Sequence, residues 1–279
     1  MTDFILAHEP AIRLTFFFGI LVAMAGWEAL APRRARSQPR WLRWSNNLGI
    51  VALNSVLLRV LIPTAAVGFA LIATQRGWGL FNILALPGWA AVVVSVLVLD
   101  LAIYLQHVMF HAVPALWRLH RMHHADLDFD VTTGARFHPV EILLSMGIKM
   151  GVVLALGPPA VAVVIFEVLL NATSMFNHAN ARLPLGLDRV LRLFVVTPDM
   201  HRVHHSILPH ETNSNFGFNQ PWWDRLFGTY RAQPEAGHEG MTIGIEQFRT
   251  GRDLWLDRLL VQPLRGPASG YPINRQGDG

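Results

Sequence analysis

Ten of the chain's thirteen histidines lie between His107 and His205, and most fall into three blocks. The blocks read His107-x3-His111, His120-x2-His123-His124 and His201-x2-His204-His205, with His138 and His178 between them. Residues three and four apart share one face of a helix, so each block can present two or three imidazoles as a cluster. Imidazole is the commonest side-chain ligand for a transition metal where thiolate is missing, and this chain has no cysteine. Three such blocks plus His178 offer more donors than the four of one tetrahedral zinc. They suit two metal ions sharing one site.

Ligands at helical spacing need helices to carry them, and composition says where these lie. The chain has 279 residues, 52% apolar and only 15% charged, with a mean hydropathy of +0.34; an average soluble domain is roughly 25% charged. A soluble helical core is a poor fit to apolar runs this long. Four regions suit a bilayer, which about 20 apolar residues span. The first runs from about Ile12 to Leu30, the second from about Leu48 to Ala73 with Arg59 and Pro63 inside it, and the third from about Ile83 to Leu105. The fourth, Ile142 to Met175, is interrupted at Gly157-Pro158-Pro159 and reads as a helical hairpin that enters and leaves by one side. Strand signals are weak throughout. The expected fold is therefore an all-α integral membrane protein: about three transmembrane helices plus a helical hairpin, with a cytosolic helical cap carrying the histidines.

Charge sets the orientation. The net charge of +4 reflects 22 arginines against one lysine. This basic balance reads as a topology signal, not as a nucleic-acid surface, because the arginines cluster beside apolar segments. The arginine and alanine bias hints at a bacterium with a GC-rich genome. Asp3 and Glu9 precede the first apolar run, and Arg33, Arg34, Arg36, Arg40 and Arg43 follow it; this reads as a retained helix, not a cleaved export signal. With the five arginines cytoplasmic, the second segment goes out and the third returns, which places His107 to His124 in the cytoplasm. The hairpin brings His178 back to that face. The expected location is thus a bacterial inner membrane with the site on its cytoplasmic side. Lys149 and Glu167 fall at similar depths on the two arms of the hairpin, and intramembrane charges usually pair, so they are expected to pair.

Asp100, Tyr104, His107 and His111 form one stripe on the third helix, and Asp100 could orient a metal ligand through its second ring nitrogen. No haem-attachment motif or Gly-rich dinucleotide fingerprint is visible, and the absence of cysteine excludes disulfides and Cys-ligated iron–sulfur clusters. Residues Asp253 to Val261 read as a short amphipathic helix, and the last dozen residues, rich in Gly and Pro, as disordered.

These residues resemble a family, the membrane-bound fatty acid hydroxylase/sterol desaturase superfamily. The matching stretches are Asp100-x3-Tyr104-x2-His107-x3-His111, Leu116-Trp117-Arg118-x-His120-x2-His123-His124 and Thr133-x2-Arg136-x-His138-Pro139-x-Glu141. Phe176-Asn177-His178-Ala179-Asn180, Thr197-Pro198-x2-His201-x2-His204-His205 and Asn215-x-Gly217 follow in family order, before Trp223-Asp224-Arg225-Leu226-Phe227-Gly228-Thr229-Tyr230. The resemblance implies a catalytic domain over residues 95–232, between an N-terminal transmembrane region at 1–94 and a C-terminal segment at 233–279. It implies two iron ions on the cytosolic face, with zinc able to replace iron in a purified sample. By position the ligands would be His107, His111, His120, His123, His124, His178, His201, His204 and His205. Some members carry a further histidine four residues before the equivalent of His178; this chain has Ser174 there, and His138 could either take that place as a ligand or serve a supporting or structural role. Arg136, His138, Glu141 and Asn180 join Asp100 and Tyr104 as candidates to support the centre, with Arg136 and Glu141 a possible buried ion pair.

The implied activity is an O2-dependent oxidation of a lipid C–H bond, hydroxylation or desaturation, in lipid biosynthesis or modification. The metal centre carries it, with no separate protein acid or base. Electrons would come from a separate reductase or carrier, for which the Arg33–Arg43 segment is a candidate docking site. Two other classes fit metal-binding histidines in a membrane: a zinc-dependent hydrolase and a non-enzymatic metal-binding protein. Dependence on O2 and reductant separates the first reading from both.

Overall fold

A computed structural model describes residues 2–84, 86–268 and 270–273. The described residues form helices joined by loops, with no β-strand and two isolated bridges, Pro32 with Ala181 and Ser206 with Ile243. Among the described residues, five stretches are long and apolar enough to cross a membrane.

Helix α1, Glu9–Leu30, carries Pro10 in its first turn, where a missing N–H costs nothing. Its far end is pinned by Glu28, whose Oε1 accepts from the Val131 and Asn180 backbone N–H groups at 2.7 and 2.9 Å. Helices α2, Arg40–Leu61, and α3, Ala65–Arg76, make one bent stretch. The break falls at Ile62 because Pro63 disfavours helical backbone in the residue before it. Helix α4, Gly88–Ala112, runs beyond the expected third segment and carries His107 and His111 in its last two turns. Helix α5, Pro114–His124, comes almost at once after it and holds the second block.

The hairpin is formed by α6, Pro139–Leu156, and α7, Ala160–Asn177. Gly157 ends α6 with φ 62°, and a Cβ there would strike the Trp78 carbonyl. That contact seats the loop after α3 against the hairpin tip. The core between α3, α4, α6 and α7 is built from small and branched residues: Ala66, Ala70, Leu99, Ile103, Val153 and Val163 among them. Lys149 and Glu167 pair as their equal depth requires, at 2.8 Å, and Arg13 of α1 joins them at 3.0 Å from the other carboxylate oxygen.

Above the long helices a cap is assembled from α5, the 125–138 loop, α8 (Leu185–Leu191), α9 (Pro198–His204), α10 (Trp222–Leu226) and α11 (Leu256–Val261). The expected Asp253–Val261 helix is shorter: a 3-10 turn at Gly251–Leu254 precedes α11, and Leu259 packs on Ile50 and Met122. Part of the tail expected to be disordered is ordered. Tyr271 is buried and stacks on Trp117 at 5.4 Å, and Trp117 Nε1 donates to the Ala268 carbonyl at 3.1 Å. One aromatic residue outweighs the local Gly and Pro because it finds a second aromatic face to cover. Residues 269 and 274–279 of that tail lie outside the described residues.

Candidate metal centre

All nine histidines expected to act together converge, and they divide into two groups. His107, His111, His120, His124 and His204 form one; His123, His178, His201 and His205 form the other. Within each group the donor atoms lie within 4.8 Å of one another. Every one of these side chains is buried.

Helix geometry explains the division. In α5, His120 and His124 are four apart and face the first group, while His123, one residue off that stripe, faces the second. In α9 and the residue that caps it the roles reverse: His201 and His205 serve the second group and His204 the first. His107 and His111 complete the five from α4, and His178, the residue after α7, completes the four.

Six of the nine rings are held through Nδ1 by an oxygen. His107 Nδ1 donates to the Phe216 carbonyl at 2.8 Å, His204 to the Ser214 carbonyl at 2.7 Å, and His111 to Asn213 Oδ1 at 3.0 Å. His120 Nδ1 donates to Glu141 Oε1 at 2.6 Å, His123 to the Arg136 carbonyl at 3.2 Å, and His178 to the Ser174 carbonyl at 2.7 Å. A carbonyl can only accept, so Nδ1 must carry the proton in these neutral rings and Nε2 is left with a bare lone pair.

Those lone pairs face each other. Nε2 of His107 lies 3.1 Å from that of His120 and 3.0 Å from that of His204, and Nε2 of His178 lies 3.2 Å from that of His123. With no proton between them, such contacts are repulsive unless a cation sits among them. Two nitrogens bound to one ion at about 2.1 Å, some 90–109° apart, stand roughly 3.0–3.4 Å from each other. The spacing fits a metal at each group.

The electrostatics agree. Burial, reinforced by neighbouring imidazoles, lowers His123, His124, His201, His204 and His205 well below the ordinary histidine range. Burial brings His178 down to about 3. These six rings are neutral donors at physiological pH, the form a metal requires.

The sequence model of the fatty acid hydroxylase family matches residues 92–229. This segment is a fatty acid hydroxylase domain. Over 152 residues the chain is 29% identical to ornithine lipid hydroxylase OlsE of Rhizobium tropici, covering 54% of this chain and 45% of that protein. It is 28% identical over 209 residues to alkylglycerol monooxygenase of Xenopus tropicalis, covering 72% and 45%. With the human alkylglycerol monooxygenase it is 30% identical over 150 residues, covering 53% and 32%. The matches thus span less than half the length of these relatives. No solved structure matches the chain.

Within the fatty acid hydroxylase domain the supporting residues differ from expectation. Asp100 does not reach a histidine; its Oδ2 accepts from Trp223 Nε1 at 2.8 Å, because the Phe216 carbonyl already holds His107. Tyr104 bonds Thr229 at 2.9 Å. Arg136 and Glu141 do not pair: Glu141 takes His120, whereas Arg136 donates to the Met122 carbonyl at 2.9 Å and lies 3.5 Å from Asp126. His138 stands outside both groups. It caps α6, its Nδ1 accepting from Val140 N at 3.2 Å and its Nε2 donating to the Leu260 carbonyl at 3.1 Å. Asn180 ties the cap to the chain after α1, accepting from Arg34 N at 3.0 Å and donating to the Arg34 carbonyl at 2.9 Å.

Two supports of the domain give little sign of themselves in the sequence. One is the loop Asn213–Phe216, which orients three of the five histidines in the first group. The other is the run Asp126-Leu127-Asp128-Phe129-Asp130. Arg43 of α2 grips Asp126 with two bonds of 2.8 and 2.7 Å and also bonds Asp130. Burial alone would raise the Asp126 carboxyl, but Arg43 and Arg136 hold it far below the usual range. This network underlies the Arg136 carbonyl that orients His123. The alternating acids in the sequence are its one visible signal.

Proposed function

We propose that the protein is an integral membrane lipid hydroxylase that uses two iron ions, O2 and electrons delivered by a separate reductase or carrier. His107, His111, His120, His124 and His204 hold one ion; His123, His178, His201 and His205 hold the other. The observation that carries this reading is the set of Nε2 atoms facing one another at 3.0–3.2 Å. A donor set made of imidazole alone suits divalent iron as well as zinc. Nine such donors exceed what the three-ligand site of a zinc hydrolase uses. When bound, a pair of iron ions supplies the reductive activation of O2 needed to oxidise an unactivated C–H bond.

The chain's own residues orient and enclose. Glu141 and the Asn213–Phe216 loop fix ring directions. Phe137 stacks on His123 at 4.5 Å, Phe129 on His178 at 5.3 Å, and Phe218 lies 5.0 Å from His107, so apolar walls keep water from the donors. The names of the relatives favour hydroxylation over desaturation and a polar lipid as substrate. The arginines after α1 lie on the same end of the helices as the histidines, which supports a site on the cytoplasmic face of a bacterial inner membrane.

The test is metal content after anaerobic, iron-replete purification in mild detergent, beside lipid analysis of the producing strain. About two irons per chain are expected, falling in His123→Ala and His204→Ala, with a lipid one oxygen atom heavier that forms only in the presence of O2. Zinc or no metal in every preparation, unchanged by the histidine substitutions, would overturn the reading.

A further inference from the structure

Two short helices outside the membrane-spanning set, α8 and α10, with the residues that follow each, present large apolar side chains that stay exposed among the described residues. Leu185 is 74% exposed, Phe194 63% and Leu226 69%, with Val190, Trp222 and Phe227 beside them. The two helices are one unit: Trp222 Nε1 donates to the Leu193 carbonyl at 2.7 Å and Arg225 to the Arg192 carbonyl at 3.1 Å.

Its position along the long helices decides what covers it. Trp223 is bonded to Asp100, and Phe227 stacks on Tyr104 with ring centres 5.4 Å apart and planes 18° from parallel. Asp100 and Tyr104 precede His107 on α4 by seven and three residues, roughly 10 and 5 Å nearer the middle of that apolar helix. The segment before α10 reaches α7 as well, where Asn177 Nδ2 donates to the Phe218 carbonyl at 3.0 Å. Phe218 itself lies in the core between α4 and α7. The chain therefore dips beside the membrane-spanning helices, below the histidines, and climbs out again.

The charges are sorted to match. The acids of α8 and α10 are Asp188 and Asp224, both buried. Asp188 pairs with Arg192 and accepts from Thr197 Oγ1 at 2.6 Å; Asp224 accepts from the Phe216 and Gly217 N–H groups at 2.7 and 2.9 Å. The exposed charged residues of the two helices are both basic, Arg189 and Arg225, the second with its guanidinium 4.2 Å over the Tyr230 ring. An apolar face edged by arginine and tryptophan is the composition of an element lying in the boundary between headgroups and acyl chains.

We propose that α8 and α10 form an interfacial unit embedded in the same leaflet as the histidine end of α4, with Leu185, Val190, Phe194 and Leu226 in acyl chains and Arg189 and Arg225 on anionic headgroups. The partner is the lipid surface itself.

The absence of cysteine makes the test direct. Single variants Leu185→Cys, Leu226→Cys and, as a water-facing reference, Arg252→Cys would be labelled with an NBD fluorophore. The full-length protein would be reconstituted in phosphatidylcholine–phosphatidylglycerol vesicles with plain or brominated acyl chains. Leu185 and Leu226 are exposed on separate helices, so their replacement leaves the packed side intact, and size-exclusion profiles check this. Brominated chains are expected to quench the labels at 185 and 226 by about twofold or more, with iodide reaching them far less than the label at 252. Iodide access at 226 equal to that at 252 would overturn the proposal. So would shielding from iodide without quenching by bromine, the result of a protein partner or second copy covering the face. Neither readout needs bound metal or turnover, so the outcome is separate from that of the proposed function.

Discussion

Glu141 Oε1 lies 2.6 Å from His120 Nδ1, and among the described residues it is the one carboxylate hydrogen-bonded to any of the nine converging histidines. The other five oriented rings lean on backbone carbonyls or an amide oxygen. A carboxylate raises the basicity of the ring it holds more than a carbonyl does, so His120 should be the strongest donor of its group. Glu141→Ala is expected to lower metal affinity of the five-histidine group by about 10- to 100-fold. Asp100→Asn, which touches Trp223 instead, should leave it unchanged. Metal retained against graded chelator measures both; equal behaviour of the two variants would contradict the assignment.

Acid should unfold the metal-free protein early. A histidine lowered by burial binds its proton in the unfolded chain near pH 6.5 but not in the folded one until far lower. The unfolded state then holds more protons, and stability falls as pH drops below about 6.5, by up to about 1.4 kcal/mol per pH unit for each such ring. His178, at about 3, and its neighbours in the cap all act in this direction. Thermal unfolding of chelator-treated protein in detergent between pH 8 and pH 5 should show a steep loss below pH 6.5. A flat profile would show that the rings are not buried as neutral groups.

Arg43 and Asp126 are both fully buried, so removing either leaves an uncompensated charge. Arg43→Met or Asp126→Asn is expected to cost about 3–5 kcal/mol. The double variant should recover part of that loss. Because Asp126 also faces Arg136, whose carbonyl orients His123, metal should leave the four-histidine group before the five. Denaturation midpoints and metal stoichiometry of the three variants check this.

His138→Ala should behave differently from the other histidine substitutions. It is expected to keep full metal content and lose only about 1 kcal/mol through the cap of α6. Metal loss comparable to that of His123→Ala would make His138 a ligand after all.

The histidine spacing and the long apolar runs were legible because both are periodic along the chain and need no knowledge of distant partners. The hairpin was legible for the same reason, and the pairing of Lys149 with Glu167 came from their symmetry about the turn. What orients the rings was not. The Phe216 and Ser214 carbonyls belong to the backbone, which every residue has, so their side chains give no sign of the role. Arg43 and Asp126 are 83 residues apart in the chain, and only the folded cap shows that the arginine counted as a topology signal is a buried clamp. Asp100 misled because helical spacing gives the stripe but not which neighbour occupies it first. Tyr271 misled because composition averages over the single aromatic residue that matters.

Helices α5 and α9 each reach into both groups of donors, one with two rings and a third turned aside, the other in mirror fashion. Neither helix can adjust to one group without disturbing the other. A single residue inserted between His120 and His123 would rotate the rest of the helix by about 100° and strip a donor from both groups together. The intervals between the blocks carry that constraint only where they hold an orienting group, such as the Arg136 and Ser174 carbonyls or Glu141. A change of length is therefore accommodated in stretches of connection that hold none of these groups, and not within a block.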